Sequence, residues 1–139
     1  MLSLGSWVRM FKIKKLILPV VTFGLIFTSL GITQASAASY SQTGKISFFY
    51  GEGKRGSDEK ILGANDCAVG KDYGKVIPKG TAIKAQNLSN GKSATVYKWS
   101  YGNFDGDVIL DVMPGVFKNK LGGNTLDGYI KKGKTSYSY

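Results

Sequence analysis

At 139 residues with a formal net charge of +10, the chain holds one small domain beside any leader and favours anionic over cationic partners. It contains no histidine and one cysteine, Cys67. Serine–histidine and cysteine–histidine catalysis, most zinc sites and any internal disulfide are therefore excluded.

The first segment reads as an export leader. Arg9, Lys12, Lys14 and Lys15 precede an apolar run from Leu16 to Ile32, and Ala35-Ser36-Ala37-Ala38 follows. A positive stretch, an apolar stretch and an A-x-A site are the three parts of a secretory signal peptide, expected here over residues 1–37. The run is near the lower length limit for a membrane anchor, but Pro19, Gly24 and Gly31 interrupt it and the cleavage site follows directly. Met10 begins a more typical signal and offers an alternative start. The expectation is a secreted, extracellular protein that meets the membrane only in transit, with a mature domain over 38–139. Cleavage leaves 15 basic and nine acidic residues, a net +6. Outside the cell such a charge selects anionic wall polymers or lipid rather than nucleic acid, unless it serves solubility alone.

In the mature chain, residues 44–50 are rich in β-branched and aromatic types and predict a first strand. The glycine-rich, polar residues 51–58 predict a loop. A short strand is expected around Cys67; the thiol either reacts or dimerises, or packs as a small apolar group beside Ala64, Ala68 and Val69. Residues 75–80 predict an extended piece ending in a Pro-x-Gly turn. Thr81–Gln86 and Ser93–Trp99 alternate in part and flank Asn90-Gly91, a strong hairpin signal. Ser100–Asp107 reads as a loop and Val108–Val112 as a buried strand. Pro114–Leu121 reads as a short helix that turns Val116, Phe117 and Leu121 inward and ends at Gly122-Gly123. Thr125–Lys131 predicts the last strand, and Gly133–Tyr139 a loose Ser/Tyr tail. About six strands and one short helix indicate a small barrel or sandwich.

The order of these elements resembles a known family. Ile77-Pro78-Lys79-Gly80-Thr81 and then Asn87-Leu88-Ser89-Asn90-Gly91-Lys92 are similar to the "LPFGT…V-x-N-x-x-N-G-(K/R)" stretch of RlpA-like and expansin-like (barwin-like) double-psi β-barrels. Ile109-Leu110-Asp111-Val112-Met113, with Phe117 and Leu121, resembles the "ϕ-D-L-S-x-x-A-F-x-x-L" segment, and Gly128-Tyr129-Ile130 the closing strand. The resemblance covers most of residues 44–131. It implies a six-stranded double-psi β-barrel with one short helix and an open groove that receives a polysaccharide or a peptide.

Carried over by position, Ser47 matches the family's first-strand Thr or Ser, and Asp111 its "D-L-S" aspartate. Ser100 stands where wall-active members place another aspartate, and Cys67-Ala68-Val69 occupies the stretch of their "A-A-H" histidine. Glycosidic cleavage normally needs a pair of carboxyl groups, and a serine hydroxyl is no acid near neutral pH. Asp111 is therefore unpaired unless Asp66, Asp105 or Asp107 comes close. Its alternative role is to cap the helix start near Pro114.

Tyr97, Trp99 and Tyr101 alternate, so one extended strand gives them a common face, for stacking on sugars or for packing in the core. Lys84, Lys92 and Lys98 around the hairpin add positive charge. The expected site is Ser47, Tyr97, Trp99, Ser100, Tyr101 and Asp111, with no metal and no cofactor. The expected role is a monomeric, wall-associated barrel that binds peptidoglycan or another polysaccharide without catalysis. A secreted antimicrobial, antifungal or protease-inhibiting protein is the alternative, and lytic transglycosylase activity the least supported.

Overall fold

The structure is a computed structural model that describes residues 36–139, of which Ala37–Tyr139 form one compact unit. The expected export signal, except for its last two residues, and the alternative start at Met10 lie outside the described residues.

Six strands form a closed barrel: β1 (Ser39–Phe48), β2 (Asp66–Gly70), β3 (Ala82–Asn87), β4 (Ser93–Gly102), β5 (Val108–Val112) and β6 (Tyr129–Ser138). They follow the order β1-β5-β2-β4-β3-β6 around the ring. Two pairs are parallel, β1 with β5 and β2 with β4; the remaining contacts are antiparallel. The expected mainly-β, six-stranded barrel is thus what the chain forms. The inward residues Ile46, Val69, Ile83, Val96 and Leu110 meet at its centre, together with Phe117 of the helical turn Val116–Lys120. Each such side chain contributes about 1.5–3 kcal/mol by leaving water. Cys67 joins them with 0% exposure; burial pushes its thiol pKa up and the Asp66 carboxylate adds to the effect, so the packing role is the one observed.

The β3–β4 hairpin turns at Asn90-Gly91, where Gly91 takes φ +78°, a conformation costly for side-chain-bearing residues. Val116, Phe117 and Leu121 are buried as expected. Four boundaries differ from the sequence expectation. β1 starts earlier, at Ser39, and β4 continues through Ser100–Gly102 where a loop was expected. Residues 75–77 are not extended: the Val76 and Ile77 amides fold back to the Tyr73 carbonyl after the 3-10 turn Lys71–Tyr73. Finally, β6 begins at Tyr129 and takes in the Ser/Tyr tail, which pairs with β1 on one side and β3 on the other. Backbone pairing on both edges orders a segment whose composition alone gives little reason for order.

A β-bulge in β4 shapes one side of the barrel. Cys67 pairs with Lys98 and Ala68 with Ser100, so Trp99 is the additional residue and the alternation inverts across it. The loop Arg55–Ile61, closed by a bridge between those two residues, lies on the bulge. Its Asp58 amide donates to the Trp99 carbonyl at 3.2 Å. Gly56 fits only because it lacks a side chain, since a Cβ there would lie 2.6 Å from that same oxygen. This contact brings Asp58 onto Lys98: Nζ is 2.7 Å from Asp58 Oδ2 and donates to the Gly74 carbonyl at 2.5 Å. Lys98 is 1% exposed, so it does not join the surface charge that the sequence assigns to it.

A buried ion pair gains little over an apolar pair, but losing one partner strands the other charge. Lys98→Met is expected to destabilise the barrel by about 3–5 kcal/mol, and Lys98→Met combined with Asp58→Leu to recover most of that loss. Urea unfolding of the single and double variants checks it; additive losses would contradict the pairing.

Candidate functional site

Pairing register assembles one row of residues across the barrel wall. Tyr129 of β6 pairs with Ser47 of β1, Ser47 with Asp111 of β5, Asp111 with Ala68 of β2, and Ala68 with Ser100 of β4. The neighbours Ile46, Leu110, Val69 and Ile130 point into the core, so the row faces outward. At its centre the Ser47 hydroxyl donates to Asp111 Oδ1. Both residues are half-buried. Burial raises the Asp111 carboxyl pKa above its ordinary value, and the Ser47 hydrogen bond opposes that shift. Ser47 and Asp111, two residues of the expected site, are therefore together, and Asp111 bonds Ser47 rather than serving the helix start.

The other expected residues separate. Ser100 is 8% exposed and lies under the Arg55–Ile61 loop, where its Oγ accepts from the Ser57 amide at 3.1 Å. Tyr97, Trp99 and Tyr101 do not share a face, because the bulge at Trp99 inverts the alternation. Tyr97 points outward and is 41% exposed. Trp99 packs against the Gly80 turn with the Lys60 ammonium 5.8 Å from its ring. Tyr101 leans on the core and lies against Gly74.

No carboxylate forms a pair with Asp111 among the described residues. Asp66 Oδ2 binds Lys60 Nζ at 2.5 Å and the Gly63 amide at 2.7 Å. Asp107 binds Lys45 at 3.3 Å and lies four residues before Asp111, about 13 Å along an extended chain. Asp105 is exposed in the β4–β5 loop. Among the described residues there is also no group of three or more Cys, Asp or Glu side chains placed to hold a metal ion. The site can therefore accept and donate hydrogen bonds through one carboxyl–hydroxyl pair. Residues that sequence reasoning missed are Tyr129, visible only through the β1–β6 register, and Ser57, which covers Ser100.

The raised Asp111 pKa has a signed consequence. The folded state holds this proton more tightly than the unfolded chain, so ionising Asp111 costs stability as pH rises from 3.8 through the higher folded value. Asp111→Asn removes that cost. The stability of Asp111→Asn relative to wild type is expected to grow across that window and then level off, in urea unfolding series from pH 3 to 7. A flat difference would show that Asp111 titrates normally.

No protein-family model matches the chain. Among solved structures, the apo expansin of Clavibacter michiganensis superposes with a TM-score of 0.55 at 16% identity, covering 72% of this chain and 50% of the expansin. A mutant of a Clavibacter michiganensis expansin in complex with cellohexaose gives the same score and coverage at 14% identity. The fold is thus the expansin-type double-psi β-barrel, and the chain spans about half the length of those expansins. In sequence, the uncharacterized protein YdjM of Bacillus subtilis (strain 168) is 36% identical over 133 residues, covering 91% of this chain and 99% of YdjM. The chain belongs to the same family as YdjM.

Proposed function

We propose that the chain is an exported, wall-associated barrel that binds peptidoglycan or another polysaccharide without cleaving it. On this reading residues 1–37 are a cleaved signal and 38–139 the working domain. The observation that carries it is the outward, half-buried Ser47–Asp111 pair, which has no second carboxylate paired with it among the described residues. A hydroxyl–carboxyl pair matches the alternating donors and acceptors of sugar hydroxyls. Hydrolysis demands an acid and a partner carboxylate about 5–9.5 Å apart, and Asp66 and Asp107 are already engaged by lysines. The solved expansin complex with cellohexaose supports a saccharide as ligand class for this fold. The mature net charge of +6 adds attraction for anionic wall polymers.

The test is retention of the mature protein on insoluble peptidoglycan, cellulose and chitin. Retention on at least one polymer is expected, weakened about tenfold or more in Asp111→Ala, with no soluble sugar released. Release of muropeptides or oligosaccharides would overturn the non-catalytic reading. Failure to bind any of the three, together with growth or protease inhibition, would favour a secreted effector instead.

A further inference from the structure

The row through Asp111 is closed at one end and open at the other. Toward β2 and β4 it runs into Ala68 and Ser100, which are 6% and 8% exposed. Toward β6 it passes Ser47 and reaches Tyr129, which is 40% exposed. Tyr129 and Ser47 are directly opposite in an antiparallel ladder, so their side chains leave the same face with Cβ atoms about 5 Å apart. The Lys45 ammonium lies 4.5 Å from the Tyr129 ring centroid and binds Asp107 at 3.3 Å. That contact steadies the ring without burying it. Beyond Tyr129 the surface opens into a cleft of about 370 Å³, also lined by Asn87, Ser89, Asn124, Asp127 and Lys131.

We infer that Tyr129 is a stacking subsite for one sugar ring, and that the bound chain runs from Asp111 over Tyr129 into this cleft; the inference rests on the polysaccharide reading above. A pyranose offers an apolar C–H face and a rim of hydroxyls. An exposed tyrosine ring complements the first, and the cleft's hydroxyl, carboxylate and ammonium groups complement the second. Tyr97 is as exposed as Tyr129 but stands on β4, the strand at the closed end of the row. The direction of the ligand is therefore set by where the row opens, away from the aromatic run of β4.

The test measures depletion of the mature protein by whichever of peptidoglycan, cellulose or chitin retains the wild type. Tyr129→Ala is expected to bind about tenfold more weakly, while Tyr129→Phe, Tyr129→Trp and Tyr97→Ala stay within about twofold of wild type. Thermal melting checks the fold, and Tyr129→Gln replaces the alanine variant if that one unfolds. Wild-type binding by Tyr129→Ala or Tyr129→Gln would overturn the subsite and leave the polysaccharide reading standing. Loss of binding in a folded Tyr129→Trp equal to that in Tyr129→Ala would overturn stacking as its basis. If the wild type binds no polymer, the broader reading falls and the subsite with it.

Discussion

Closure of the ring by β6 is the constraint on which everything else depends. The barrel carries a single, free cysteine and only a small core, so backbone pairing must supply the stability that other small domains take from cystines. β6 bonds to β1 on one edge and to β3 on the other, and with it in place no barrel strand has an open edge. A closed barrel removes the unpaired donors and acceptors that would otherwise recruit another chain. It also fixes register around the whole wall. The outward row from Tyr129 to Ser100 exists only because five strands, far apart in sequence, are locked in phase.

The bulge at Trp99 shows how the same wall accommodates polar groups. One additional residue inverts the alternation of β4, leaving Lys98 inside and setting Ser100 outward. The Trp99 carbonyl, displaced from the ladder, receives the Asp58 amide, and the loop bearing that amide supplies the counter-charge for Lys98. A buried ion pair of this kind is weak as a source of stability and strict as a constraint, because neither partner tolerates solitude. Its position has a further effect: the loop that carries Asp58 also covers Ser100. The device that neutralises the buried lysine therefore closes one end of the candidate site.

Legibility in the sequence followed how local each signal was. The Asn90-Gly91 hairpin, the apolar β5 and the helical turn with Val116, Phe117 and Leu121 carry their signals within a few residues, and the structure places all three. The C-terminal half of β6 carries no such signal. Gly133-Lys134-Thr135-Ser136-Tyr137 has little apolar patterning, and its order comes from two partner strands that lie near the chain's start and middle. The burial of Lys98 is illegible for a related reason, since a lysine in an alternating run looks solvated unless the bulge and the distant Asp58 are known. At the site, the Ser47–Asp111 pair was reachable through the family resemblance. Tyr129 was not, because its place beside Ser47 depends on a long-range antiparallel register.

On the proposed reading, charge and recognition are divided between different parts of the molecule. The exposed lysines of β3, β6 and the helical turn supply a net positive field, which attracts an anionic wall without regard to sugar identity and weakens with salt. Close to the row the charges are balanced locally: Lys45 is matched by Asp107, and Lys60 by Asp66. Asp111 sits between these pairs, bonded to a neutral hydroxyl, with its pKa raised by burial rather than by a neighbouring charge. On that reading a carboxyl so placed serves hydrogen bonding, since among the described residues no opposed carboxylate of the kind that drives bond cleavage pairs with it. Attraction would then be set by the whole surface, and selectivity by the short open stretch from Asp111 to Tyr129.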